Sequence, residues 1–94
     1  MAKIFITDNK FNADFKVRET NNRNEADLLI YEDKNASSAQ GDERWFFAKD
    51  KFNVDKQIIF TDNRHEADLT IFKVSNYNAA EWRNNSHPLK GKIG

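Results

Sequence analysis

Four aspartates recur at one position of a repeating pattern and are the first candidates for chemistry. They are Asp14, Asp27, Asp55 and Asp68, with Asp8 and Asp62 nearby. Carboxylate oxygens are ligands for hard cations, but a calcium loop gathers several of them in one short segment that bends at a glycine. The sequence has no D-x-D-x-D-G segment. We therefore expect each carboxylate to accept backbone N–H groups or to pair with a nearby base, and we predict no metal and no cofactor.

Histidine and serine offer the other route to catalysis. The histidines are His65, in a turn-like segment, and His87, near the C-terminus; the serines are Ser37, Ser38, Ser75 and Ser86. Nucleophilic catalysis needs a serine held against an oriented histidine, and no serine here stands in a nucleophile-elbow context. The sequence has no cysteine, which excludes disulfides, thiolate zinc sites and cysteine nucleophiles. We predict that the chain is not an enzyme.

The aromatic residues fall into two groups. Most phenylalanines lie at or beside apolar positions and are expected in the core, whereas three aromatic residues fall in turn-like segments: Phe11, Phe52 and Tyr77. Four basic residues also fall in turn-like segments: Lys10 and Lys51 beside the two phenylalanines, and Arg23 and Arg64 in the related turns. Aromatic side chains beside basic ones can stack bases and hold phosphates. These seven residues form the predicted interaction surface, on a turn-rich rim at one end of the domain.

Composition restricts the function classes further. The 94 residues carry fifteen basic and fifteen acidic side chains, without the net basic field that is typical of a nucleic-acid binder. No run approaches the length of a membrane-spanning helix, and the first residues lack the apolar segment of a signal peptide. A cytoplasmic, non-enzymatic structural or protein-interaction module is the main hypothesis. A ligand-binding or weak nucleic-acid-binding domain, using the seven residues above, is the alternative.

A 13-residue repeat organises these residues. Six units begin at residues 3, 16, 29, 44, 57 and 70, and they form two halves, 3–41 and 44–82, in which residues 3–28 and 44–69 are identical at twelve of twenty-six positions. The second position of each unit is large and apolar: Ile4, Val17, Ile30, Trp45, Ile58 and Ile71. The seventh position is Asn in five of the units. Repeats of this kind bury a common core when they stack.

Each unit combines a strand with a turn. Apolar and polar residues alternate from Ala13 to Arg18, which is the period of a strand. The turns are rich in Asn and Asp, which bond the backbone two residues on and tolerate φ > 0, and Asn can also cap a short helical turn. We predict an all-β, compact single domain over residues 1–84 with pseudo-twofold halves, built as a barrel or a sandwich. An exposed edge strand would allow the chain to form a homo-oligomer by pairing with a second copy.

Two segments depart from the repeat. In residues 33–43 the repeat pattern is lost and small polar residues predominate, so this segment is expected to form the longest loop. Residues 85–94 contain His, Pro, Gly and Lys and are expected to form a loosely held basic tail.

The residues of the repeat resemble a known family. The segments Glu25–Ile30 and Glu66–Ile71, the aromatic run at 45–47 and the closing segment 80–84 are similar to those of the septoil-knot domain proteins, small bacterial proteins formerly of unknown function. The resemblance covers about residues 3–84. It implies a β-rich fold whose backbone is threaded into a seven-crossing knot, and it brings no known reaction, cofactor or catalytic residue.

Overall fold

The computed structural model describes residues 2–35 and 41–93, and within them the regular elements are strands and single turns of 3-10 helix. The strands are β1 (Ala2–Ile6), β2 (Phe15–Glu19), β3 (Leu28–Glu32), β4 (Arg44–Phe47), β5 (Lys56–Phe60), β6 (Leu69–Val74) and β7 (Glu81–Trp82). The 3-10 turns span Arg23–Glu25 and Tyr77–Ala79. The all-β prediction is confirmed. The predicted loop 33–43 lies partly outside the described residues, as do Ser37 and Ser38.

Six strands close into a barrel. Their order around it is β1, β5, β2, β6, β3 and β4, and β4 pairs back onto β1. All these pairings are parallel, and β7 joins β3 in the antiparallel direction. Of the two architectures that the sequence left open, the barrel is the one found. Since closing a barrel pairs its strands on both sides, the barrel strands do not supply the exposed edge that was expected to drive self-association.

The two sequence halves are interlaced. Strands β1, β2 and β3 belong to the first half and β4, β5 and β6 to the second, and every parallel pairing joins one half to the other. The connections β1–β2, β2–β3, β4–β5 and β5–β6 each pass over one strand of the other half, always in the same direction around the barrel. The chain thereby travels more than once around the barrel.

The connections are short because the strands are strongly staggered. Ile6 at the end of β1 and Phe15 at the start of β2 pair with the same residue, Ile58 of β5, one on each side. The connection therefore steps across a single strand, roughly 10 Å at the usual strand spacing. The other three connections step across β6, β1 and β2 in the same way, at Ile71, Ile4 and Val17.

The second-position column of the repeat forms the centre of the core. Its six members are all 0% exposed and lie in one hydrophobic cluster: Ile4, Val17, Ile30, Trp45, Ile58 and Ile71. Because successive strands are displaced by about two residues, equivalent positions lie at the same level of the barrel. The column is therefore a belt inside the barrel, and each connection crosses outside one of its members.

The turn side chains accept hydrogen bonds from the backbone, as the Asn and Asp residues of the repeat predicted. The seventh-position side chain accepts a hydrogen bond from the N–H two residues on, at 2.9–3.0 Å, in the loops of Asn9, Asn22, Asp50, Asn63 and Asn76. Asn22 and Asn76 cap the two 3-10 turns with extended backbone, at φ −116° and −127°. Among the described non-glycine residues only Asn53 has a positive φ, 61°. Asn at the seventh position thus supplies an acceptor and not a left-handed backbone.

The C-terminal segment differs from the predicted loose tail. Ile93 is 1% exposed and belongs to the hydrophobic core, and Leu89 packs against that core. The buried carboxylate of Asp42 accepts hydrogen bonds from the N–H groups of Gly91 and Ile93 and from Nε1 of Trp82. One apolar side chain, that of Ile93, and one buried acceptor, the Asp42 carboxylate, hold the segment in place.

Candidate interaction surface

The predicted surface residues lie on five loops that cross the outside of the barrel. In order around it, residues 48–55 cross β1, 7–14 cross β5, 61–68 cross β2, 20–27 cross β6 and 75–80 cross β3. We call these five loops the loop girdle. It follows the circumference at mid-strand and takes the place of the rim at one end that the sequence predicted.

The structure places the predicted surface residues one after another around the girdle. Neighbouring loops carry, in order, Lys51 with Phe52, Lys10 with Phe11, Arg64, Arg23, and Tyr77. Phe11 is 86% exposed and Phe52 71%. They occupy the same repeat position in the two halves and sit on loops that cross adjacent strands. The ammonium of Lys10 lies 5.5 Å from the centre of the Phe11 ring.

Tyr77 is more constrained than the two phenylalanines. Its ring lies 4.9 Å from the guanidinium of Arg44 and meets the ring of Tyr31 edge-on at 6.1 Å. Arg44 in turn donates two hydrogen bonds to the Asp33 carboxylate, at 3.0 and 3.2 Å, which raise the pKa of the guanidinium. Tyr77, 52% exposed, therefore serves both the surface and the β3–β4 junction.

The recurring aspartates fasten the loops to the strands that they cross. The Asp68 carboxylate accepts the N–H of Lys16 at 2.8 Å, and the Asp68 N–H donates to the Lys16 carbonyl at 2.8 Å. The same two-point pair joins Asp14 to Gln57, Asp27 to Thr70 and Asp55 to Lys3. Each carboxylate therefore holds backbone N–H, the first of the two roles that the sequence allowed. Within residues 2–35 and 41–93, His, Asp and Glu side chains form no group of three that could hold a metal.

His87 is also committed to the fold. Its Nδ1 accepts the N–H of Leu89 at 3.1 Å, so the proton of the neutral ring is on Nε2, which donates to the Asp68 carbonyl at 2.9 Å. The ring packs on Trp82 at 5.4 Å and is nearly buried, at 9% side-chain exposure. His65 lies exposed in the 61–68 loop. Ser75 and Ser86 belong to other segments of the chain.

Sequence reasoning missed a groove beside Phe52. It has a volume of about 380 Å³ and is lined by Lys3, Phe46, Ala48, Lys49, Phe52 and Asn53, together with Asp50. Lys3 and Phe46 are paired neighbours on adjacent strands. A signal was present in the sequence: the fifth and sixth positions of this unit are Ala48 and Lys49, where the corresponding unit of the first half has Thr7 and Asp8.

Comparison with known proteins gives one family. The family described as the 7(1) septoil knot domain matches residues 1–83 of the chain. No curated protein and no solved structure matches. The interlaced winding of the barrel fits the knotted fold for which this family is named. In the described part of the chain, no helix has both the length and the apolar character needed to cross a membrane.

Proposed function

The chain belongs to the septoil knot domain family, and we propose that it works as a non-enzymatic protein-interaction module whose contact surface is the loop girdle. One observation carries the proposal: Phe11 and Phe52 are 86% and 71% exposed on loops that cross adjacent strands. Removing large apolar side chains from water is favourable, and aromatic residues are enriched at protein interfaces. Two such side chains on neighbouring loops are a ready contact patch.

The anchoring of the loops supports this role. Each of the four loops 7–14, 20–27, 48–55 and 61–68 is fastened at its end by an aspartate pair and near its start by a capping side chain. A surface that is already ordered loses less conformational entropy when a partner binds. The use of the aspartates and of His87 in holding the backbone also supports a role without catalysis.

Selection from a displayed library of random twelve-residue peptides tests the proposal, since no partner is known. The baits are the full chain, the double variant Phe11→Ser/Phe52→Ser, and the control Ile6→Ser. Ile6 is 46% exposed but lies in strand β1. We expect enriched peptides that bind the full chain and the control equally and bind the double variant at least about tenfold more weakly, as for loss of contact residues.

Two results would count against the proposal. One is a library that yields no enriched peptide. The other is a set of peptides that binds the double variant as well as the full chain. Circular dichroism of all three baits ensures that a loss of binding reflects the surface. Both phenylalanines are exposed, so the double variant should keep its fold.

Weak binding of single-stranded nucleic acid is the second candidate. It is favoured by the succession of basic and aromatic residues around the girdle, from Lys51 and Phe52 to Lys10, Phe11 and Arg64, since bases stack on exposed rings. The balance of fifteen basic and fifteen acidic residues weighs against it. Fluorescence anisotropy with a labelled oligo-dT separates the two candidate functions. Binding that salt abolishes would support nucleic-acid binding, and no binding at low salt would rule it out.

The proposal includes a bacterial, cytoplasmic setting. Fractionation of source cells followed by immunodetection tests it. Recovery of the chain in the cytoplasmic fraction is expected, and recovery only with membranes or in the medium would contradict it.

A further inference from the structure

The groove beside Phe52 differs in charge from its counterpart in the first half. Its lining residues include Lys3 and Lys49 together with Phe46 and Phe52. By the repeat, the counterpart beside Phe11 has Gln57 and Asp8 in place of the two lysines. Both places keep the same pair of phenylalanine positions. The chain therefore holds two related aromatic surfaces, of which only the one beside Phe52 has the lysine pair.

The loop that forms this groove also has its own backbone. Ala48 stands where the three related loops have threonines, and those threonines accept a hydrogen bond from the backbone two residues on. Asn53 has a φ of 61°, which no other described non-glycine residue shares. A left-handed backbone is uncommon outside glycine and costs free energy. The loop 48–55 thus departs from its relatives in side chains and in conformation.

Asp50, the acidic residue among those that line the groove, accepts a backbone hydrogen bond, as does Asp55 at the end of the same loop. Asp50 accepts the N–H of Phe52 at 2.9 Å, and Asp55 accepts the N–H of Lys3 at 2.9 Å. Two lysines, Lys3 and Lys49, therefore stand against one carboxylate among the lining residues. With Lys51 next in the chain, the groove combines an apolar floor with a surplus of positive charge.

Resting on the function proposed above, we infer that this groove binds an acidic peptide segment of a partner protein. An aliphatic or aromatic side chain of the segment packs between Phe46 and Phe52, and flanking carboxylates meet Lys3 and Lys49. A volume of about 380 Å³ lies within the range of pockets that hold small groups, which suits one large side chain and its neighbours. Opposite charge around an apolar anchor gives both orientation and affinity.

A peptide suits the groove better than a nucleic acid does. A single-stranded nucleic acid needs a basic track that follows several phosphates. Beyond Lys51 and Lys10, the girdle carries Asp62, Glu66 and Glu25 beside its arginines. Acidic side chains therefore interrupt the basic residues around the girdle, which gives no continuous track for phosphates.

The test uses the full chain and a fluorescein-labelled peptide in which two glutamates flank one leucine on each side. Its matched probe has four glutamines in place of the glutamates. Anisotropy titrations at low salt compare the unmodified chain, Phe52→Ala, the double variant Lys3→Gln/Lys49→Asp, which installs the residues of the counterpart, and the control Phe60→Ala. Phe60 is an exposed aromatic residue of β5 that lies outside both the girdle and the groove lining. Circular dichroism confirms that each variant is folded.

We expect the acidic peptide to bind at least about tenfold more tightly than the glutamine peptide, as for two lost charge pairs at about 0.7 kcal/mol or more each. Lys3→Gln/Lys49→Asp and Phe52→Ala should each remove most of the binding, and Phe60→Ala should leave it unchanged.

Several outcomes would overturn the inference. Equal binding of the two peptides would show that the lysine pair does not recognise charge, and an equal loss in Phe60→Ala and Phe52→Ala would show that the groove is not the binding site. Displacement of the acidic peptide by oligo-dT at a much lower concentration than by the unlabelled peptide would assign the groove to nucleic acid. In each case, library peptides that depend on Phe11 and Phe52 would still uphold the interaction module, so the two proposals fail separately.

Discussion

Asp14 and Gln57, 43 residues apart, are joined by two hydrogen bonds. The Asp14 N–H donates to the Gln57 carbonyl at 2.6 Å, and the Gln57 N–H donates to the Asp14 carboxylate at 2.7 Å. Gln57 precedes Ile58, the belt residue that loop 7–14 crosses. The pair therefore fastens a loop of one half to a strand of the other, and its repetition at Asp27, Asp55 and Asp68 fastens the interlaced halves at four places.

Replacing Asp14 tests this fastening. Asp14→Ala removes the side-chain acceptor of the Gln57 N–H, and we expect the free energy of unfolding to fall by about 1 kcal/mol, the usual worth of such a bond. Asp14→Asn keeps an oxygen at the same place and should cost less than half as much. Urea unfolding with full equilibration measures both. An Asp14→Ala variant as stable as the unmodified chain would show that the pair contributes nothing.

Replacing Ile93 tests the packing of the C-terminal segment. Ile93→Ala removes a side chain that is 1% exposed, so we expect a loss of about 3 kcal/mol, as for large-to-small changes in a core. The control Ile6→Ala, at 46% exposure, should cost about 1 kcal/mol or less. Thermal and urea unfolding give both values, and similar costs at the two positions would mean that the tail is loosely held after all.

Separating the halves tests the interlacing. Residues 1–41 and 42–94, expressed apart, should each lack stable structure, because every strand pairing of the barrel lies between the halves and an unpaired strand satisfies few of its backbone groups. Amide NMR spectra with little dispersion are expected for both fragments. A dispersed spectrum from either fragment alone would contradict the topology.

Refolding from urea tests the cost of that topology. The barrel is made of pairings between distant residues, and the chain passes more than once around it. Such contacts form slowly, and threading adds to the delay, so we expect refolding to take seconds or longer. Stopped-flow fluorescence of Trp45 and Trp82 follows it. Complete refolding within milliseconds would argue that the winding imposes no threading step.

The local parts of this fold were accessible to sequence reasoning because they depend on neighbouring residues. The belt of Ile4, Val17 and its relatives, the side-chain acceptors at Asn9 and Asn22, and the 3-10 turn that Asn22 caps all follow from residue type and spacing over a few positions. The exposure of Phe11 and Phe52 followed in the same way, from an aromatic residue placed in a turn.

The groove could not be assembled from the sequence because its walls come from separate segments. Lys3 and Phe46 become neighbours only when β1 pairs with β4, and Phe52 joins them only because its loop crosses β1. The docked tail was missed for a similar reason: the acceptor for Ile93 is Asp42, which is 51 residues away. The irregular segment around Asp42 offered no sign that its carboxylate would be buried.

By itself the sequence determined the repeat, the buried column, the turn chemistry and the all-β class, because each arises from interactions between residues close in the chain. The tertiary structure alone decided which strand lies beside which, and therefore which loop crosses which belt residue and where the lysines meet the phenylalanines. The units share one apolar and polar pattern, so many pairings would satisfy it locally. Closure of the barrel, with one shared core and each of its six strands paired on both sides, selects the interlaced order.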